Sequence, residues 1–125
     1  MASLSQEVRD AWEDRDGPVV LATVSPDGTP NIIYAGCVAA YGDDRLVVAD
    51  NYVDKTRRNL QGGCNGALLF RSKAGKAYQA NGTLEYHTEG EVFEDMKRWN
   101  PPKHPGHAAA VLVVEAVFAG AKQVC

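Results

Sequence analysis

The sequence predicts a mainly β chain, with six strands closed or nearly closed into one antiparallel barrel and helices at its edges. Two observations carry this prediction. Six apolar runs rich in Val, Ala, Leu, Ile, Tyr and Phe are separated by short turn signals. Most connections are hairpin-like, and no strand–helix alternation of the βαβ kind appears. Closure removes the unpaired edges that such strands would otherwise expose. The 125 residues suit a single domain, 1–125, without repeats or linkers.

Leu4, Val8, Ala11 and Trp12 recur at helical spacing over residues 4–14. Ser3 and Gln6 offer a capping box and Gly17-Pro18 a stop. PVVLATV and NIIYAGCVAAY then flank a turn with Pro26, Asp27 and Gly28, which reads as a hairpin of two strands. Residues 45–50 form the third strand, entered through Gly42-Asp43-Asp44. DKTRRNLQ, residues 54–61, is too polar for a core strand and suits a short helix, capped by Asp54 and stopped by Gly62-Gly63. GALLFRS and AYQANGTLEYHT are the fourth and fifth strands around Ala74-Gly75. Thr88 and Glu91 offer a capping box to a helix with Val92, Phe93, Met96 and Trp99 on one face. After NPPKHPGH, the run AAAVLVVEAVFAG is a long apolar strand that needs both faces covered.

Composition excludes several function classes. The 45% apolar and 23% charged content is that of an ordinary globular chain. Thirteen basic and sixteen acidic residues give a net charge of −3, unlike a nucleic-acid surface. The pair Arg57-Arg58 has no aromatic stacking motif beside it. No run approaches the ~18 apolar residues of a membrane span, and the charged N-terminus lacks a secretory segment. The expectation is a cytoplasmic protein with no membrane and no nucleic-acid partner. Cys37, Cys64 and Cys125 lack CxxC spacing, so no zinc site or disulfide framework is expected. His104-Pro-Gly-His107 reads as a turn with no third metal ligand nearby. No carboxylate pair, Ser-His-Asp or Cys-His pattern emerges, so no catalytic residue is assigned.

Chemistry concentrates in residues 46–60, LVVADNYVDKTRRNL, where a strand runs through a polar turn into the short helix. Lys55, Thr56, Arg57 and Arg58 occupy the first helical turn. Basic residues there are unfavourable for a helix on its own, because its N-terminus already carries partial positive charge. A bound anion reverses that sign. From residue chemistry alone the segment is either a solvated charged helix or a phosphate site. The usual nucleotide loops, GxGxxG and GxxxxGK[ST], are absent.

The run Asn51-Tyr52-x-Asp54-Lys55-Thr56-x-Arg58-x-Leu60, followed by Ala67-Leu68-Leu69-Phe70, resembles the strand-to-helix segment of the pyridoxamine 5′-phosphate oxidase superfamily. The hairpin VVLATVSPDGTPNIIYAG resembles its first two strands, and the likeness spans roughly residues 17–120. The resemblance implies a six-stranded antiparallel split β-barrel that binds FMN without covalent attachment. It places Lys55 and Thr56 at the FMN phosphate, with Asn59 three residues after the threonine as in the smaller FMN-binding members. It lays Ile33, Tyr34, Ala35, Gly36 and Cys37 along the flavin ring, and turns Val48, Ala49, Asp50 and Asn51 toward the ring and ribityl chain. Trp99 either packs into the core on its helix or joins Pro101-Pro102 in supplying flat apolar contact from a loop closing over a partner subunit's flavin.

The sequence departs from the family pattern at three places. Asp54 replaces a serine, uncharged Thr56 replaces a lysine, and Gln79 is two residues out of register with a flavin-contacting glutamine. Phosphate binding then rests on Lys55, with Arg57 or Arg58 as helpers. The expected function is an FMN oxidoreductase or electron carrier, served by a small molecule or a redox protein. The alternative is a non-enzymatic module holding heme, a deazaflavin or nothing. The full-length oxidases carry a C-terminal Arg-x-His substrate motif, and the chain ends at Cys125 without it, so little turnover of pyridoxamine 5′-phosphate is expected. A homodimer with the flavin at its interface is expected too. The last strand and the Phe93, Met96 and Trp99 face offer more apolar surface than one small barrel covers.

Overall fold

The computed structural model describes residues 3–125. In chain order the elements are α1 (Gln6–Glu13), β1 (Val19–Val24), β2 (Pro30–Ala35), β3 (Val38–Tyr41), β4 (Arg45–Asp50), α2 (Lys55–Gly62), β5 (Cys64–Arg71), β6 (Ala77–His87), α3 (Glu91–Trp99), β7 (Ala108–Ala119) and β8 (Lys122–Gln123). All pairings are antiparallel, in the order β2-β1-β5-β6-β7-β4-β3, with the short β8 on β7. The sheet curls about one core cluster drawn from six of its strands: Leu21 of β1, Val38 of β3, Leu46 of β4, Leu68 of β5, Ala80 of β6 and Leu112 of β7. The architecture is a split β-barrel, mainly β with flanking helices.

The strand count corrects the sequence reading, which predicts six where the described residues form eight. NIIYAGCVAAY is two strands, broken at Gly36-Cys37. β2 pairs with β1 at one edge of the sheet and β3 pairs with β4 at the other. Consecutive strands therefore bound the split, and two residues cross it. Gly120, with φ of 60°, turns the chain back to form β8.

Three helix starts also differ. Ser5, not Ser3, caps α1, its hydroxyl accepting from the Val8 N–H at 3.4 Å. Gly90, at φ of 95°, stands at the start of α3, and no side chain caps it; Thr88 does not. Asp54 occupies the N-cap position of α2 but makes no capping hydrogen bond.

β7 has both faces covered, as its apolar run requires. Ala110, Leu112, Val114 and Val117 enter the barrel core. Ala109 and Val111 pack beneath Val92 and Met96 of α3 on the other side. Met96 is fully buried there. Phe93 and Trp99 are half-buried against this layer, so part of the apolar surface expected at a dimer face is covered within the chain. An exposed apolar patch lies on the outer side of β2, β1 and β5, at Ile32, Tyr34 and Leu69.

Candidate functional site: a cleft at the split in the barrel

The cleft lies beside the break between β2 and β3 and is lined by β2 and β4, with a volume of about 380 Å³, within the range of small-molecule sites. Asn31 and Ile33–Cys37 form one wall, Val48 and Ala49 the floor, and residues 51–56 the far side, with His104 at the mouth. Lys55 is exposed and makes no ion pair among the described residues. The first N–H groups of α2 have no side-chain acceptor from Asp54. An uncapped helix start beside an unpaired ammonium gives this end of the cleft a positive electrostatic character.

Behind this helix start sits a buried charge. The Asp50 carboxylate accepts from Arg57 Nε at 2.7 Å, Arg57 Nη2 at 3.0 Å and the Tyr86 hydroxyl at 2.5 Å. Burial pushes the Asp50 carboxyl up, but these hydrogen bonds outweigh it and hold the group below the usual carboxylate range. Asp50 in turn raises Arg57 above its ordinary value. Tyr86 is pushed up to about 12, by burial first and then by its bond to Asp50. The cluster clamps the first turn of α2 to the end of β4.

A second buried network supports Thr56. The Asn31 amide donates to Thr56 Oγ1 at 2.7 Å and to Thr23 Oγ1 at 3.2 Å. Asn59 donates to the same Thr23 oxygen at 2.9 Å. At the mouth, Asn51 and Asn100 exchange amide hydrogen bonds of 3.1 and 2.9 Å, and Gly106 N–H donates to Asn51 Oδ1 at 2.9 Å. This pins the 100–107 loop and sets His104 Nδ1 3.1 Å from the Tyr52 hydroxyl.

Residues 4–121 match the family described as pyridoxamine 5′-phosphate oxidase. The chain belongs to this family. An uncharacterised protein of Methanocaldococcus jannaschii is 30% identical over 103 residues, 78% of this chain and 69% of that protein. HupZ of group A Streptococcus has a TM-score of 0.79 at 26% identity, over 92% of each chain. An FMN-binding protein of Syntrophomonas wolfei has a TM-score of 0.70 at 22% identity, over 98% of this chain and 86% of that one.

In this member of the pyridoxamine 5′-phosphate oxidase family, the fold brings ten of the predicted cofactor residues to one cleft: Ile33, Tyr34, Ala35, Gly36, Cys37, Val48, Ala49, Asn51, Lys55 and Thr56. Four do not line it. Asp50 is 1% exposed and committed to Arg57 and Tyr86. Asn59 is buried against Thr23. Trp99 packs with the α3 cluster, and Pro102 is exposed on the loop. Arg57 is no spare phosphate ligand, because its guanidinium is held by Asp50. Asn31, Tyr52, Val53, Asp54 and His104 also line the cleft and are not among the predicted cofactor residues. Asn31 had a sequence signal: it faces Thr23 across the first hairpin, at the polar end of two inward-facing apolar rows.

Among the described residues no group of three or more His, Cys, Asp and Glu side chains could hold a metal ion. None of the described helices is long and apolar enough to cross a membrane.

Proposed function

We propose that the cleft binds FMN without covalent attachment and that the protein works as an FMN-dependent oxidoreductase or electron carrier. One observation carries this: the uncapped start of α2 opens into the cleft with the unpaired Lys55 on its first turn. Lys55, Thr56 and the first N–H groups would hold the phosphate, and Ile33, Ala35 and Val48 the ring. Bound FMN would supply electron transfer, and the chain's own part is to bind it, orient it and shape access. Family membership and the fold shared with an FMN-binding protein support the choice of flavin. The three cysteines are free thiols, in keeping with a reducing, cytoplasmic setting.

The test is a fluorescence titration with FMN and with riboflavin, which lacks the phosphate. Lys55→Ala is expected to weaken FMN about 10- to 150-fold, from ~1.5–3 kcal/mol for a charge-assisted contact, and to leave riboflavin nearly unchanged. Equal loss of both flavins places the phosphate elsewhere. A purified protein with a Soret band and no flavin bands overturns the choice of cofactor.

The proposal includes a homodimer, with the flavin at its interface, through the outer face of β2, β1 and β5. Ile32 and Tyr34 are 69% and 78% exposed. Val20 lies directly between Tyr34 and Leu69 in the strand register, so the patch is continuous. Tyr34 belongs to this face and to the cleft wall at once. Light scattering should return twice the 13.5 kDa of one chain, and Ile32→Asp should return a single chain. A wild-type monomer at micromolar concentration would sink this part of the proposal.

A further inference from the structure

We propose that Asn31 is a positioning residue for the phosphate, because it fixes the Thr56 hydroxyl as a donor into the cleft. The inference rests on the reading of α2 as the phosphate site and adds a residue to it. Asn31 is 8% exposed and Thr56 2%, yet both line the cleft. The Asn31 amide N–H groups point at two threonine oxygens, 2.7 Å to Thr56 and 3.2 Å to Thr23. Thr23 Oγ1 also accepts from Asn59 at 2.9 Å, so both of its lone pairs are filled and it serves as a fixed anchor. Thr56 is then an acceptor toward Asn31, and its hydroxyl proton must go elsewhere. Its backbone is fixed in the first turn of α2, and its open side is the cleft. A hydroxyl has one proton to give. Were residue 31 an acceptor, that proton would be drawn inward and away from an anion. The buried amide therefore sets the direction of the hydrogen bond as well as the place of the oxygen.

Dissociation constants for FMN and riboflavin would be measured for the wild type, Asn31→Ala, Thr56→Val and the double variant. Asn31→Ala is expected to weaken FMN roughly 3- to 10-fold, the range of one hydrogen bond of uncharged donors, with riboflavin unchanged. In the Thr56→Val background the same change should cost no further FMN affinity, because the route through the hydroxyl is already gone. An equal FMN loss in both backgrounds overturns the inference, as does equal loss of FMN and riboflavin, or no loss at all. If Asn31→Ala fails to fold, the isosteric Asn31→Asp keeps the shape and reverses the polarity. It is expected to lose FMN at least 10-fold, from the inward-turned hydroxyl and the added charge, with riboflavin held; retained FMN affinity overturns the inference. Lys55→Ala separates the two levels. If it discriminates between the flavins while Asn31 variants do not, only the role of Asn31 falls; if it does not discriminate, the phosphate site and this inference fall together.

Discussion

Arg57→Ala is expected to cost about 3 kcal/mol of folding stability at pH 7, the lower end of the ~3–5 kcal/mol seen when one member of a buried ion pair is removed. The lower end applies because Arg57 is 29% exposed while the Asp50 side chain is fully buried. Two guanidinium hydrogen bonds, of 2.7 and 3.0 Å, are lost, and the carboxylate keeps only Tyr86. The pH dependence identifies the mechanism. In the wild type Asp50 titrates below its ordinary 3.8. Its contribution is present above that ordinary value and is lost as pH falls through the lowered folded value. In the variant, burial is the dominant influence and the carboxyl moves up, so acidification neutralises the stranded charge and restores stability. The gap between the two proteins should therefore shrink from pH 7 toward pH 4.5 in urea titrations. A gap that stays constant would show that Arg57 acts through packing alone.

If the cleft holds FMN as proposed, affinity for it should also fall in this variant. Arg57 ties the first turn of α2 to the end of β4, and Lys55 and Thr56 project from that turn. Asp50 thus supports the candidate site from behind.

Element types were legible because turn chemistry and apolar periodicity agreed. The 25–29 hairpin turn forms around Asp27, whose carboxylate takes the Thr29 N–H at 3.0 Å and the Ser25 hydroxyl. These bonds, the Ser25 hydroxyl foremost, draw that carboxyl down to about 2. Gly63, at φ of 76°, ends α2 where the glycine pair predicts it. The break at Gly36-Cys37 was not legible. Apolar residues continue across it, and the cause is long-range: β2 and β3 join opposite edges of the sheet. The family resemblance turns Asp50 toward the flavin. Its carboxylate is instead buried behind the start of α2, where it accepts from Arg57 and Tyr86, and a buried carboxylate requires a cation, which Arg57 supplies. The exposed apolar patch on β2 was not legible either. The long apolar β7 run is satisfied by α3 within the chain, whereas the shorter IIYA of β2 leaves Ile32 and Tyr34 outside.

Gly82→Ala is expected to cost at least ~3 kcal/mol, with a fall in Tm of roughly 10 °C or more, or to prevent folding altogether. Gly82 stands at the irregularity in the β6–β7 register between Asn81 and Gly82. A Cβ there would lie 2.0 Å from the Val113 carbonyl oxygen, 2.9 Å from its carbon and 3.3 Å from the Glu115 nitrogen. All three neighbours are backbone, so no side chain can rotate away. Relief requires β7 to move, and β7 carries both the barrel core through Val114 and the α3 layer through Val111. Glycine in a strand interior is normally a weakness, but here it permits the close approach of two strands at a bulge. Gly36→Ala is the control. Nothing lies within 4 Å of a Cβ built there, so its folding stability should stay within about 0.5 kcal/mol of wild type. Thermal unfolding of the two variants side by side decides the matter. If Gly82→Ala unfolds at the same temperature as Gly36→Ala, the close approach of β7 to β6 is not a constraint on the fold.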